Sequence, residues 1–401
     1  MTESPSIIGI DCGVDVLHCA LSSDKRTPVH EIDLTNPAWH ERLTKLTQPG
    51  MVAALEPTGW HYAAPVIAAL TAAGVRVLLV DHAVTGKQRD LKVAGIKTDK
   101  TDAKALAYIA ADHLIEPYKR VREIDPARIG AAMALRMLIH GYNRADKERT
   151  RSINRMRQLA HSIAPVLSQS LTVYMRALAL GISSVSELRR LATYCREIDA
   201  DMKAQRATVA YPEMFKRADS RSKLYALVEA LPSWADNPIA AEALLEEYRF
   251  YEIASERKDA LIVRLEQAAY APMFAHVTEV WLTIPGASAV RCAILHSATR
   301  GEADRMTPNQ FKASVGTFPA REQSGAVTRT NAGRSGLRAA KRELHLWTMF
   351  LIKDGNNPIA ATFAYHKARG EKYAMSKAKA KLAVILSGIA RSGAPYNPNH
   401  A

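Results

Sequence analysis

The stretch IIGIDCGVDVLHCALS, residues 7–22, decides how the fold begins. A short apolar run ends at an acid, Asp11, a Cys-Gly turn follows, and a second apolar run begins. This pattern predicts strands at residues 7–11 and 14–22. A further strand is predicted at residues 28–34, so three consecutive strands precede the first helix.

Strand and helix patterns alternate after these three strands. Two more strands are predicted at residues 52–56 and 75–81, and helices at residues 35–46, 61–73 and 102–111. Three strands followed by α, β, α, β and α is the order of an RNase H-like α/β fold. In that fold the first three strands form an antiparallel meander and the later strands add in parallel.

The rest of the chain is predicted to be largely helical. Residues 135–164 and 240–269 read as long helices, which usually pack as an antiparallel hairpin or a coiled coil. After the second long helix, the sequence becomes richer in glycine and in basic residues. We therefore predict an RNase H-like domain at residues 5–115, a helical coiled-coil linker and oligomerisation region at 116–270, and a mainly helical C-terminal domain at 271–395.

The charge of the chain favours a polyanionic partner. Its 401 residues include 54 Lys and Arg against 40 Asp and Glu, a formal net charge of +14. Residues 305–342 hold eight basic residues against one acid, and residues 366–391 hold seven against one. Clustering of this kind favours nucleic acid over a membrane surface. A basic enzyme with scattered, solvated Lys and Arg is the alternative.

Cysteine spacing and hydropathy exclude several classes of protein. The four cysteines include no CxxC pair, so neither a zinc site nor a disulfide framework is predicted. The sequence has no secretory leader pattern and no apolar stretch of membrane-spanning length. We expect a soluble cytoplasmic protein, associated with the nucleoid when bound to DNA and without a membrane partner.

Four acids occupy positions that a metal site would need. Asp11 and Glu56 end the first and fourth strands, which are neighbours in an RNase H-like sheet, while Asp99 and Asp102 share one face at a helix start. Mg²⁺, or Mn²⁺ in its place, prefers carboxylate oxygens, and two such ions about 4 Å apart support phosphodiester cleavage. Each acid alone also fits a structural role in a turn or at a helix start. All four together, in this strand order, favour a metal site.

A serine in the C-terminal third is a candidate nucleophile. The segment FKASVGTFPAREQSG, residues 311–325, is predicted to be a loop because it contains Pro319 and Gly325. Ser324 lies in it, and four guanidinium groups close by in sequence are candidates for binding phosphate oxygens: Arg321, Arg329, Arg334 and Arg338. No histidine stands beside Ser324 as a base. A polar loop of a DNA-binding domain is the alternative, and the local sequence alone favours it.

The first long helix offers another nucleic-acid contact. Its basic residues would grip a phosphate backbone without reading sequence: Arg144, Lys147, Arg149, Arg151 and Arg155. An ordinary solvated helix face explains any single one of them equally well.

With these motifs in view, the chain resembles the DEDD transposases of the insertion-sequence one-ten family, which includes the Piv-type pilin-gene invertases. The N-terminal part of the resemblance rests on GIDCGVD, ALEPTGWH and KTDKTDAKALA, residues 9–15, 54–61 and 97–107. The middle rests on INRMRQLAHSIAP, residues 153–165. The C-terminal part rests on LTIPG, VGTFPAREQSG, GRSGLRAAKREL and NPIAATFAYHKARGEKY, residues 282–286, 315–325, 333–344 and 357–373. The chain departs from the family pattern after the Pro-Gly of LTIPG and in the Gly-Thr-Phe-Pro before the serine.

The resemblance implies a chemistry and a set of partners. It maps the family's four metal-binding acids onto Asp11, Glu56, Asp99 and Asp102 of a RuvC-like domain, and the family's nucleophilic serine onto Ser324. It implies cleavage of donor and target DNA through a covalent phosphoserine, followed by strand exchange. It also implies homodimers or homotetramers, in which one subunit's serine works beside another's acids, and a structured guide RNA.

Three other functions stay open at this point. The chain could be a site-specific invertase of the same family, or a junction-resolving nuclease that uses water as the nucleophile. It could also be a nucleic-acid scaffold without catalysis.

Overall fold

The structure is a computed structural model of the chain. It describes residues 6–22, 24, 26–56, 60–93, 97–118, 121–204, 206, 209–232, 235, 237–317, 320–324, 327–331 and 336–400. For residues 60, 61, 320–324, 327–331 and 400, only the backbone is described.

A six-stranded sheet organises the N-terminal part of the chain, in the order β3-β2-β1-β4-β5-β6. The strands are β1 Ile7–Cys12, β2 Val16–Ala20, β3 Val29–Asp33, β4 Val52–Leu55, β5 Arg76–Val80 and β6 Val121–Glu123. β1, β2 and β3 pair antiparallel, while β4 joins β1 and β5 joins β4 in parallel. This is the predicted RNase H-like order. The unpredicted β6 adds antiparallel at the edge and has three residues, too few to show alternation in the sequence.

Four helices cover the two faces of the sheet: α1 Trp39–Lys45, α2 Trp60–Ala72, α3 His82–Gln88 and α4 Asp99–Ile115. Alternate residues of each strand point to opposite faces. On β4, Ala53 and Leu55 belong to one apolar cluster, and Val52 and Ala54 belong to another that includes residues of α4. The sheet is therefore buried on both sides, as parallel strands require.

Helix α4 lies directly on β1 because the residues between them are small. A Cβ atom added to Gly9 would stand 2.1 Å from the carbonyl oxygen of Ala103 and 2.2 Å from the amide nitrogen of Ala107. This close approach holds the first turn of α4 over the strand that carries Asp11.

Helices α5 to α10 follow: α5 Pro126–Ile163, α6 Pro165–Gln169, α7 Leu171–Leu178, α8 Val185–Lys203, α9 Ala218–Ala230 and α10 Pro238–Ala269. The long α5 and α10 run side by side in opposite directions. Lys258 Nζ lies 2.7 Å from the Asp146 carboxylate, and Arg155 Nη1 lies 3.5 Å from that of Glu247. These contacts fit the predicted antiparallel helical hairpin, while the coiled coil stays a prediction.

The C-terminal part is mainly helical, with one hairpin. Its elements are α11 Pro272–Leu282, α12 Ala289–Thr299, α13 Pro308–Ser314, β7 Ala320–Ser324, β8 Val327–Asn331, α14 Arg338–Asp354, α15 Pro358–His366 and α16 Glu371–Ser392. Trp281 is fully buried, and its indole N–H donates to the carbonyl of Leu386 at 2.9 Å, which ties α11 to α16.

The chain divides into two compact units. One comprises Met1–Leu135, Tyr270–Ala287 and Leu295–Ala401, and the other Arg136–Ala269 and Ser288–Ile294. In the part of the chain that the structure describes, no helix combines the length and the apolarity needed to cross a membrane.

Two sequence predictions need correction. The segment at residues 311–325 is not a continuous loop, because its start completes α13 behind the Thr307 capping box and residues 320–324 pair as β7. The helix predicted at residues 35–46 begins only at Trp39. Asp33 and Asn36 accept hydrogen bonds from backbone amides two residues on, and these turns delay the helix.

Candidate metal centre

Asp11 and Asp99 meet at the end of β1. Asp11 is the fifth residue of β1, and Asp99 is the first of α4, whose N-terminus Thr98 and Thr101 fix by a capping box. Ligand atoms of Asp11, Asp99 and His18 all lie within 4.8 Å of one another. Residues from two strands and a helix thus offer a common set of ligands.

His18 belongs to this group because of strand register. It stands directly across from Asp11 in the antiparallel pair of β1 and β2, so both side chains lie on the same face of the sheet. Its Nδ1 is buried, and it makes no hydrogen bond to any residue that the structure describes. A buried ring nitrogen without a partner is suited to receive a cation.

Glu56 follows β4 directly, and β4 is the strand beside β1. Its side chain is 12% exposed and hydrogen-bonds the Nδ1 of His82, the first residue of α3. Glu56 is therefore held by a histidine that the sequence analysis did not single out.

Asp102 is the most buried of the four acids, at 9% exposed. One of its oxygens accepts a hydrogen bond from Arg89 Nη1 at 2.6 Å. Arg89 opens a single π-helical turn, Arg89–Val93, that follows α3. Asp102 therefore forms an ion pair with the Arg89 guanidinium group, and only its remaining lone pairs can face a metal ion.

The pKa of Asp11 depends on the three other acids. Burial raises the pKa of Asp11 to about 7, and repulsion from Asp99, Asp102 and Glu56 adds to the rise, while Lys97 opposes it. The three other carboxylates therefore lie close enough to act on Asp11. A positive ion among them would remove this repulsion, so the oxygen-rich donor set fits a divalent cation.

The sequence analysis did not single out three side chains that lie beside the four acids: His18, His82 and Arg89. Only His18 could have been found from the sequence, because it lies on the strand predicted to follow the one that ends at Asp11. His82 and Arg89 lie on α3 and the turn after it, which the sequence analysis did not predict.

The structure places the backbone of Ser324 in a strand. It is the last residue of β7 and pairs with Val327 across the hairpin, while Arg321 and Arg329 lie on β7 and β8. The side chains of these residues, and Arg334 altogether, lie outside the described residues. Arg338 is exposed as the first residue of α14. The backbone of the candidate nucleophile thus lies at the end of β7.

The basic residues predicted on α5 divide into two groups. Three are paired with acids: Arg144 with Glu148 at 2.9 Å, Arg149 with Asp146 at 3.6 Å and Arg155 with Glu247 at 3.5 Å. Lys147 and Arg151 are exposed, and neither takes part in an ion pair among the described residues. These two are the better candidates for phosphate contacts.

Two models of known protein families match the chain. A family model described as a transposase, of the DEDD type of IS110 elements, matches residues 8–165. A second model, described as a transposase of the IS116/IS110/IS902 family, matches residues 279–364. No curated protein gives a significant match. The first match spans the four acids, and the second spans the β7–β8 hairpin.

Proposed function

Because the chain belongs to the IS110 family of transposases, we propose that it recombines DNA with a divalent-metal site at its four acids and with Ser324 as the nucleophile. The site comprises Asp11, Glu56, Asp99 and Asp102. That the protein is a DNA transposase follows from its family. The proposal concerns the chemistry, the metal and the partners.

The observation that carries the proposal is the ligand group formed by Asp11, Asp99 and His18, which come from three separate elements. Burial raises the pKa of Asp11, and repulsion from Asp99, Asp102 and Glu56 adds to the rise. A buried acid whose pKa is raised by neighbouring acids is typical of a functional site. A bound divalent ion would stabilise negative charge on the phosphate oxygens during strand cleavage.

The residues of the chain would divide the work. Asp11, Asp99 and Glu56 would bind the metal. Asp102, which Arg89 holds in place through its 2.6 Å hydrogen bond, would add its remaining lone pairs. The oxygen of Ser324 would attack the phosphorus atom as the bond to one deoxyribose oxygen breaks. That oxygen would leave as a hydroxyl after taking up a proton, and the DNA would stay linked to the serine until the strand is exchanged.

The proposed partners are donor and target DNA, a structured guide RNA and further copies of the chain. DNA follows from the transposase family, and the basic clusters support binding of nucleic acid in general. The guide RNA and the homodimer or homotetramer rest on the resemblance. Mg²⁺, with Mn²⁺ as a substitute, is the proposed metal because the acids offer oxygen ligands.

Trapping the covalent intermediate tests the nucleophile. Wild-type protein, Ser324→Ala and the exposed-serine control Ser392→Ala are incubated with Mg²⁺ and labelled DNA from the flanks of the reading frame, then denatured. We expect labelled protein for wild type and Ser392→Ala and none for Ser324→Ala. An adduct on Ser324→Ala would contradict the assignment. Metal-dependent cleavage without an adduct in the wild type would make water the nucleophile.

The metal site is tested by stability, independently of activity. Asp11→Asn removes the repelled charge, so we expect the metal-free protein to melt at the wild-type temperature or above it. The same variant should lose the stabilisation by Mg²⁺, which is about 2.7 kcal/mol at a hundredfold excess over Kd. Asp15→Asn, an exposed acid of the same hairpin, should keep it. If Asp11→Asn is stabilised by Mg²⁺ as the wild type is, Asp11 is not a ligand.

A further inference from the structure

One surface of the C-terminal part combines exposed aromatic rings with unpaired cations. We call it the tyrosine patch and define it by six residues: Tyr365, His366, Lys367, Arg369, Tyr373 and Lys377. It lies where α15 ends, a 3₁₀ turn Lys367–Arg369 follows, and α16 begins after Gly370 at φ +105°. Neither the metal centre nor the serine hairpin uses any of these residues.

The aromatic rings of the patch are open to solvent. Tyr365 is 82% exposed and Tyr373 is 38% exposed. His366 stands between them in T-shaped contacts, with ring centroids 4.9 Å from Tyr365 and 5.5 Å from Tyr373. Because these contacts are edge to face, no ring within the described residues stacks on Tyr365. Tyr365 therefore offers an open ring face on which a partner's aromatic ring can stack.

The cations of the patch have no acidic partner in the part of the chain that the structure describes. Residues 366–391 hold seven Lys and Arg against one acid, Glu371. No ion pair among the described residues includes Lys367, Arg369 or Lys377. Lys377 Nζ instead lies 5.2 Å from the centre of the Tyr373 ring, and Arg369 and Lys377 lower the pKa of the Tyr373 hydroxyl. These contacts hold two cations beside the aromatic rings.

We propose that the tyrosine patch binds single-stranded nucleic acid, with one unpaired base stacked on Tyr365 and Lys367 and Arg369 on the flanking phosphates. Aromatic rings beside cations suit a single strand, whose bases stack on the rings and whose phosphates contact the cations. A duplex fits less well, since its base faces are already covered by their neighbours. Neither the metal ion nor Ser324 is needed for this contact.

Binding in EDTA tests the proposal apart from the cleavage chemistry. Full-length protein is titrated into labelled oligothymidylate, oligouridylate or duplex DNA of about 20 nucleotides, and fluorescence anisotropy gives Kd. Tyr365→Ala should weaken binding to the single strands about tenfold and change duplex binding less than about twofold. Tyr365→Phe, which keeps the ring, should bind as the wild type does. The exposed-tyrosine control Tyr194→Ala should also leave Kd unchanged.

The salt dependence gives a second, independent measurement. Lys367→Gln should lower the slope of log Kd against log salt by about 0.7, the value for one phosphate contact on a single strand. If Tyr365→Ala weakens binding to oligothymidylate alone, the patch binds DNA. If it weakens binding to oligouridylate alone, the patch binds RNA. Equal single-strand affinity for Tyr365→Ala and wild type would overturn the proposal. So would an effect of Tyr365→Ala on the sedimentation of the free protein without an effect on Kd, because the patch would then be a protein interface.

Discussion

Three of the four acids of the candidate metal centre have a neighbour that restricts their direction. Asp11 faces His18 across the hairpin, Glu56 hydrogen-bonds His82, and Asp102 hydrogen-bonds Arg89. Such neighbours orient metal ligands and reduce the freedom lost on binding. His18 differs from the other two because its own nitrogen lies within the ligand group.

His18 should therefore change which metals bind. Imidazole nitrogen favours Ni²⁺ or Co²⁺ far more than Mg²⁺, which prefers oxygen. We expect His18→Gln to weaken Ni²⁺ binding at least about tenfold and Mg²⁺ binding less than about threefold, measured by calorimetry. The exposed His40→Gln is the control. Equal losses for both metals would remove His18 from the set of ligands.

His296 makes stability depend on pH. Its ring is fully buried between Phe274 and Trp281, with centroids 4.5 Å and 4.9 Å away, and burial lowers its pKa to about 3. The folded pKa lies below the unfolded value of about 6.5, so below that pH the unfolded chain binds a proton that the folded chain excludes. The stability contributed by the neutral ring is complete above pH ~6.5 and is lost as the pH falls toward 3.

Urea unfolding of wild type and His296→Gln measures this effect. Between pH 6.5 and pH 5, the wild type should lose about 2 kcal/mol more of its free energy of unfolding than the variant does. Thr278 Oγ1, 2.9 Å from the His296 Nε2, gives glutamine a polar neighbour. Parallel pH profiles for the two proteins would show that His296 titrates normally in the fold.

At the level of elements, the contact of α4 with β1 positions half of the metal centre. Asp99 and Asp102 lie in the first turn of α4, and Gly9, Ala103 and Ala107 let that helix approach the strand. Asp99 and Asp102 are thus placed by the packing of small residues between α4 and β1.

Gly9→Ala should disturb both stability and metal binding. Its new Cβ would meet backbone atoms of α4 that cannot move independently, and overpacking of this kind costs about 1–3 kcal/mol. The shifted helix should also weaken Mg²⁺ binding. Gly130→Ala is the matched control, because it lies on exposed α5 with open space around it and should gain about 1 kcal/mol. Wild-type stability and metal affinity for Gly9→Ala would contradict this account of the helix position.

At the level of the whole molecule, a net charge of +14 predicts salt-sensitive binding of nucleic acid. On α5, however, several cations already pair with acids of their own unit. A cation that is already paired with an acid contributes less to the salt dependence, because fewer counterions are released when it binds a phosphate. Net charge alone therefore overstates how many phosphates this helix can contact.

Lys147→Gln and Arg151→Gln should each lower the slope of log Kd against log salt for duplex DNA by about 0.9. Arg144→Gln should lower it less, because Glu148 already neutralises that guanidinium group. Anisotropy titrations between about 50 and 200 mM salt measure the slopes. Unchanged slopes for Lys147→Gln and Arg151→Gln would show that DNA does not follow this face of α5.

The sequence by itself determined the order of the first five strands, most of the two long helices and the chain positions of the four acids. Period-two and period-3.6 patterns are local, so they can be read from neighbouring residues such as those at 7–22. The order of elements then restricts the sheet to few topologies, and β1 beside β4 is among them.

Only the tertiary structure decided what surrounds those acids. The pairing of Asp102 with Arg89, the contact of Glu56 with His82 and the raised pKa of Asp11 all depend on distances between residues remote in sequence. The tyrosine patch likewise depends on a turn that brings Tyr365 and Tyr373 to either side of His366. Local patterns carry no information about such distances, because burial and electrostatic coupling arise only once the chain has packed.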